Sequence, residues 1–292
     1  MSFLSGFEKF VRTNEPLAMH TWLQLGGPAE YFAEPTSEDE LVAVIRRAHD
    51  EGMAVRMLGR GSNLLVRDEG VHGVVVTLSH PTFRKIEVSG NAITAGAGVR
   101  LGRVVTTAVH GGLAGLEELV AIPGTLGGAL HGNAGTHGAD VGQWTSRVTV
   151  VVESGRIDQR DRDDLVFDYR ASNLDELVIL AARLELDEDD PRELSRRMQK
   201  QWIIRKARQP MGHQSAGCIF KNPPGTHAGE LIDSAGLKGT RIGGAVVSDR
   251  HANFVIAEPE CTSNDVLRLI DLIRDQVYER VGVEMQLEIE IW

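Results

Sequence analysis

The period of the apolar positions changes along the chain, and the changes divide it into three mixed units: 1–80, 81–205 and 206–292. In the first, Ser37 and Glu40 form a capping-box pair, and Leu41, Val44, Ile45 and Ala48 follow at helical spacing until Gly52. Residues 54–58 and 73–78 predict strands, so this unit reads as a small α/β fold. In the second, alternation over 86–95 breaks at Ser89-Gly90-Asn91, the pattern of a hairpin. Leu101, Val104, Val105, Ala108 and Val109 predict a helix that stops at Gly111-Gly112. Strands are expected over 147–153 and 177–186, with a turn at Ser154-Gly155. Asp190, Pro191 and Glu193 then open a helix over roughly 191–207. In the third unit a short helix is expected near 227–235. A long one runs from Thr262 to about Val281, with Val266, Leu269, Ile270, Ile273 and Val277 on one face. Leu287, Ile289 and Ile291 alternate with Glu288 and Glu290 in a final strand.

Composition narrows the class. An apolar content of 42% and a charged content of 25% over 292 residues describe a globular protein of more than one core. The net charge of −10 argues against a general nucleic-acid or anionic-membrane binder, so an anionic ligand has to be held by local donors. Two cysteines, Cys218 and Cys261, make no disulfide framework. The first residues meet Glu8, Lys9 and Arg12 too soon for a secretory signal, and no apolar run approaches the roughly 20 residues of a membrane span. The expected location is the cytoplasm.

Chemistry is concentrated in glycine-rich segments. Gly59-Arg60-Gly61-Ser62-Asn63 follows a strand, and its glycines allow successive N–H groups to face one concavity, as a phosphate requires; the same residues also make ordinary turns. Residues 121–129, with Ile122-Pro123-Gly124-Thr125 and Gly127-Gly128, lead to Asn133-Ala134-Gly135. This stretch mixes glycine with apolar residues, which suits close approach to a diphosphate or a flat ring, or tight helix–sheet packing. Neither a P-loop nor a true dinucleotide fingerprint is present; Gly96-Ala97-Gly98 reads as a strand-to-helix turn. Residues 215–225 place the Cys218 thiol among small residues, followed by the donors Lys221 and Asn222 and a Pro-Pro-Gly turn, a make-up that points to a functional loop. On their own, Arg170 reads as a partner of Asp168 or another acid, and Glu290 as the solvated face of an edge strand. His131, His137, His213, His227 and His251 have no metal-ligand spacing, so no metal is expected. Cys261, just before Thr262, reads as structural.

Taken in order, these fragments resemble one family across nearly the whole chain, the UDP-N-acetylenolpyruvoylglucosamine reductases of peptidoglycan precursor synthesis (MurB). They run from Asn14-Glu15-Pro16-Leu17, His20-Thr21-Trp22 and Leu25-Gly26-Gly27-Pro28-Ala29 through Leu58-Gly59-Arg60-Gly61-Ser62-Asn63-Leu64-Leu65 and Gly115-Leu116-Glu117. They continue with the 121–135 stretch, Tyr169-Arg170, the Cys218 loop and Ile242-Gly243-Gly244-Ala245. They end with His251-Ala252-Asn253-Phe254 and Leu287-Glu288-Ile289-Glu290. The resemblance implies an α+β architecture: a two-subdomain FAD-binding fold of the vanillyl-alcohol-oxidase type plus a C-terminal α/β substrate-binding domain. It implies noncovalent FAD contacted by Gly59 to Leu64 and by the 121–135 stretch, with NADPH as hydride donor. Its catalytic trio falls on Arg170, Cys218 and Glu290, and Arg208, Lys221 and Asn222 suit the diphosphate or carboxylate of a UDP-sugar. No nucleic acid, membrane or obligatory protein partner is implied.

Two features depart from or subdivide the family pattern. Serine is usual where Cys218 stands; a thiol with an unperturbed pKa near 8.5 is a much stronger acid than an alcohol, and easier to oxidise. The short stretch between Tyr169-Arg170 and Asp190 resembles the subgroup without the extra substrate-closing insertion. Two rivals are an FAD-dependent oxidase of hydroxy acids or lactones and a catalytically silent nucleotide-binding protein. The first glycine loop lacks the flavin-attaching histidine common in the former, and a proton-bearing residue at 218 with Arg170 and Glu290 argues against the latter.

Overall fold

The computed structural model describes residues 3–136, 138–174 and 178–292 of the chain. His137 and Leu177, the latter at the start of an expected strand, lie outside the described residues. Packing gives two compact units. The first holds Met1–Asn14, Glu30–Gly59 and His72–Ile204, and the second holds Glu15–Ala29, Arg60–Val71 and Arg205–Trp292. Two short N-terminal segments, Glu15–Ala29 and Arg60–Val71, thus pack with the C-terminal part that begins at Arg205.

In the first unit, the strand Val55–Met57 pairs in parallel with Val71–Val76 in a sheet that also contains Val11–Pro16 and Pro28–Ala33. Helix α1 (Glu38–Asp50) buries Leu41, Val44, Ile45 and Ala48, the face that the spacing predicts. Ser37 Oγ caps it by accepting Glu40 N at 3.2 Å. The Glu40 carboxylate reaches one residue further back than a standard capping box, accepting from Thr36 N at 2.6 Å and Thr36 Oγ1 at 2.8 Å. A second sheet is antiparallel throughout, in the order Ile157–Asp161, Thr145–Val151, Val178–Glu185, Ala92–Gly96, Ile86–Ser89. Helix α2 (Leu101–His110) buries Leu101, Val104, Val105, Ala108 and Val109, and α3 (Leu126–His131) lies within the glycine-rich stretch. Helix α4 (Pro191–Arg208) starts on Pro191 and buries Leu194 alone.

The second unit is built on a four-stranded antiparallel sheet, Ser215–Cys218, Phe254–Ala257, Ala245–Val247, Arg241–Ile242. Helices α5 (Ala228–Ser234) and α6 (Ser263–Val281) belong to its core, to which Leu23, Leu25 and Leu65 also contribute. Thr262 and Asp265 complete a full capping box on α6. Its buried stripe is Val266, Leu269, Ile270, Ile273 and Val277, each contributing about 2 kcal/mol of burial. The expected last strand is shorter than its alternation: Glu290–Ile291 pairs in parallel with Leu64–Leu65, and Leu287 makes an isolated bridge with Phe220. Among the described residues no helix is long and apolar enough to cross a membrane.

Candidate active site

In the second unit, three chain segments are stitched together around Cys218 and Glu290. The strand Ser215–Cys218 carries a bulge: Ser215 faces Ile256 and Cys218 faces Phe254, so three steps on one strand match two on the other. Gly217 lies in the bulge at φ 75°. Directly after Cys218, Ile219 O accepts from Glu288 N at 2.8 Å and from Ile289 N at 3.3 Å. Glu290 N in turn donates to Asn63 O at 3.0 Å, and Asn63 Nδ2 donates to Glu288 O at 2.9 Å. The thiol segment, the carboxylate segment and the first glycine loop thus share one hydrogen-bonded framework. Cys218 is half-buried and Glu290 is exposed.

The glycine loop itself is shaped for close contact. Gly61 has φ 59°, and a methyl group on it would lie 2.4 Å from His20 O. Trp22 N donates to Gly61 O at 3.0 Å, which pins the loop from the other side. Among the described residues, the amides of Gly61, Ser62 and Asn63 donate to no protein acceptor. Three successive donors around a left-handed glycine are the make-up of an anion-binding nest.

Lys221 follows the Cys218 strand, with its amide on Gln286 O at 2.8 Å and its ammonium without an ion-pair partner among the described residues. Asn222 has a structural task as well: its Oδ1 accepts Ala228 N at 3.0 Å at the start of α5. Arg208 is exposed at the end of α4. Asn253, which pattern reading did not single out as a site residue, is 2% exposed and grips Phe220 from both ends. Its Oδ1 accepts Phe220 N at 3.0 Å and its Nδ2 donates to Phe220 O at 2.8 Å. It is a buried asparagine amid apolar residues, and that local mismatch is the signal that would have found it. Cys261 is of the opposite kind to a reactive thiol: burial, with Asp265, Asp68 and Glu258 nearby, pushes it up to about 11.

In the first unit, Gly59 and the start of α3 meet. A methyl group on Gly59 would lie 2.8 Å from Thr125 Oγ1. Thr125 caps α3, its Oγ1 accepting Gly128 N at 3.3 Å. Leu126 N and Gly127 N donate to Val99 O and Ala97 O at 2.8 and 2.9 Å, so the amides at the front of α3 are already engaged. What this stretch offers a ligand is a bare glycine surface, while its helix end is used for packing. Arg170 lies on the tight turn between Phe167–Asp168 and Ala171–Ser172, at φ 54°. Its Nη2 donates to Gly135 O at 3.0 Å, and its guanidinium carbon lies 5.2 Å from the centre of the Tyr169 ring. The buried Asn133 uses both ends of its side chain within the protein, on Asp168 O and Gly142 N.

Comparison with known proteins gives the class, a flavin-dependent oxidoreductase: residues 29–159 match the FAD binding domain family. Residues 209–292 match the C-terminal domain of UDP-N-acetylenolpyruvoylglucosamine reductase. UDP-N-acetylenolpyruvoylglucosamine reductase 2 of Symbiobacterium thermophilum is 41% identical over 97% of this chain and 92% of its own length. The reductase of Bacillus subtilis is 38% identical over 96% of this chain and 93% of its own. The crystal structure of the Thermus caldophilus reductase (MurB) superimposes with a TM-score of 0.84 at 38% identity, covering 97% of this chain and 100% of that one. The chain belongs to the UDP-N-acetylenolpyruvoylglucosamine reductase family. It is an enzyme of peptidoglycan precursor synthesis that uses FAD and NADPH. The first glycine loop fits the flavin nucleotide, since the 61–63 amides suit a phosphate.

Proposed function

We propose that, in reducing the enolpyruvyl ether of UDP-N-acetylglucosamine enolpyruvate to UDP-N-acetylmuramate, this chain uses Cys218 as proton donor and Arg170 and Glu290 as charge stabilisers. Bound FAD supplies the hydride chemistry, drawing on NADPH. Hydride addition at the terminal carbon of the enol ether leaves an electron pair on the neighbouring carbon, delocalised into the carboxylate. The Arg170 guanidinium opposes that charge, and Glu290 donates a hydrogen bond to it when protonated. The Cys218 S–H bond then breaks, its proton forms the new C–H bond, and a thiolate remains to be reprotonated. Lys221, Asn222 and Arg208 are assigned to the substrate's diphosphate or carboxylate, and Gly59 to Leu64 with Ile122 to Gly128, Ala134 and Gly135 to FAD. A cytoplasmic location follows from the substrate class.

The observation that supports this reading is the framework joining Cys218 to Glu290: Ile219 O takes Glu288 N and Ile289 N, while Asn63 takes Glu290 N. Backbone bonds that fix both acids relative to each other are what a positioned proton donor and charge stabiliser require. Rapid mixing under anaerobic conditions tests it. Glu290→Gln is expected to slow flavin reoxidation by the enolpyruvyl substrate by about 10²-fold or more while leaving reduction by NADPH intact. Equal slowing of both half-reactions, or of neither, contradicts the assignment.

A further inference from the structure

A left-handed arginine needs surroundings that hold it there. Arg170 has φ 54°, and residues 131–135 bond to its turn at several points. We infer that Asn133 is a positioning residue for Arg170, and that its side chain serves the arginine's turn rather than the flavin. The inference rests on the reading of Arg170 as a group acting on the substrate's developing charge.

Asn133 is 4% exposed and itself left-handed, at φ 38°. Its Nδ2 donates to Asp168 O at 2.9 Å, and its Oδ1 accepts Gly142 N at 3.1 Å. The amide orientation follows from its partners, because only NH2 can meet a carbonyl and only the oxygen can meet an N–H. Asp168 and Ala171 are the closing pair of the two-residue turn that carries Tyr169 and Arg170. Holding Asp168 O therefore fixes where the turn begins. The second arm works through Gly142, where a methyl group would lie 2.3 Å from Phe167 Cγ, so Asn133 anchors the seat on which the hairpin's first strand rests.

Bonds also run the other way. Arg170 Nη2 donates to Gly135 O at 3.0 Å, and Ser172 Oγ donates to His131 O at 2.8 Å. The 131–135 segment and the 167–172 hairpin are thus cross-braced, and Asn133 is the side chain from the glycine-rich segment that reaches the hairpin's backbone. Asn133 directs one N–H and its carbonyl oxygen into the protein, onto the hairpin and its seat.

Asn133→Gly removes both side-chain bonds while tolerating the left-handed backbone, so it isolates the brace. FAD affinity and the rate of reduction by NADPH are expected to stay within about twofold, and substrate-driven reoxidation to fall about tenfold or more. Arg170→Ala is expected to slow reoxidation further, and adding Asn133→Gly to it should change nothing more. If Arg170→Ala alone leaves reoxidation intact, the proposed catalytic role fails. If Arg170→Ala slows it and Asn133→Gly does not, or if the two effects simply multiply, the positioning role is overturned. Loss of FAD from a folded Asn133→Gly protein overturns it in favour of a cofactor-holding role. Should that variant not fold, Asn133→Asp keeps an oxygen for Gly142 N and removes the N–H that meets Asp168 O, with the same expected non-additivity with Arg170→Ala and the same refuting outcomes.

Discussion

Gly217→Ala tests whether the bulge aims Cys218. Gly217 has φ 75°, and the nearest heavy atom to an added methyl group would be Ser62 O at 3.9 Å, an ordinary contact. The penalty is therefore conformational alone, about 1–2 kcal/mol for an L residue in the left-handed region. For a protein of this size that corresponds to a melting temperature lower by about 2–3 °C. The strain can be relieved by returning the strand to regular pairing, which slips Cys218 by one position and turns its side chain to the other face. Reoxidation of reduced flavin by substrate is then expected to fall by about 10²-fold, while reduction by NADPH is unchanged. Differential scanning calorimetry and anaerobic rapid-mixing absorbance measure the two effects. Gly61→Ala is the contrast: at φ 59° its methyl would lie 2.4 Å from His20 O and 2.7 Å from Thr21 Cα. Overpacking adds to strain there, about 2–5 kcal/mol together, and weakened FAD binding should accompany it. A Gly217→Ala protein with the expected melting shift and normal reoxidation refutes the aiming role of the bulge.

The flavin should leave the protein on acid or heat denaturation, since Gly59 to Leu64 contains no histidine for attachment; flavin that stays with the precipitated chain contradicts this. Iodoacetamide at pH 8 should alkylate Cys218 and abolish turnover, with substrate protecting, whereas Cys261, pushed up to about 11, should remain unmodified by peptide mass spectrometry. Cys218→Ser should keep appreciable turnover and Cys218→Ala should stall after hydride addition; full activity in Cys218→Ala moves the proton donor elsewhere. Burial first, then Lys238, hold His251 below its ordinary value of 6.5. The unfolded chain therefore takes up the proton more readily, and stability should be full above pH 6.5 and decline as pH falls below it. His251→Gln should flatten that part of a urea-midpoint-versus-pH curve, and an unchanged slope refutes the assignment.

Helices α1, α2 and α6 were legible because their buried positions recur locally. The buried stripe of α6 is the one its spacing predicts, and Thr262 caps it. Helix α3 was not legible, because Gly127 and Gly128 in its first turn lower intrinsic helix propensity. It forms because Ala97 O and Val99 O capture its leading amides. The final strand was half legible: Ile289 is buried and Glu290 exposed, as alternation predicts, but Ile219 and Lys221 take the backbone groups before it. Arg170 and Glu290 were assigned through resemblance, since each looks bland alone, whereas the make-up of the Cys218 loop pointed to function by itself. The tasks of Asn133 and Asn253 were hidden for a simpler reason: their partners lie up to 35 and 33 residues away, beyond any periodicity.

The pairing of Leu64–Leu65 with Glu290–Ile291 sets the order in which the molecule can be completed. Asn63 and Glu288 bond across a sequence separation of 225 positions, so the second unit joins segments made early and late in synthesis. The early segments, 15–29 and 60–71, emerge from the ribosome without their sheet or helices and wait for the C-terminal segment. The first unit's five-stranded sheet needs only residues 86–185 and can form meanwhile. Closing a loop of that length is slow relative to local pairing, so assembly of the second unit is expected to be the late step of folding. Chaperones would meet the chain in that interval, with the anion nest of Gly61 to Asn63 still open and its Glu290 partner not yet made.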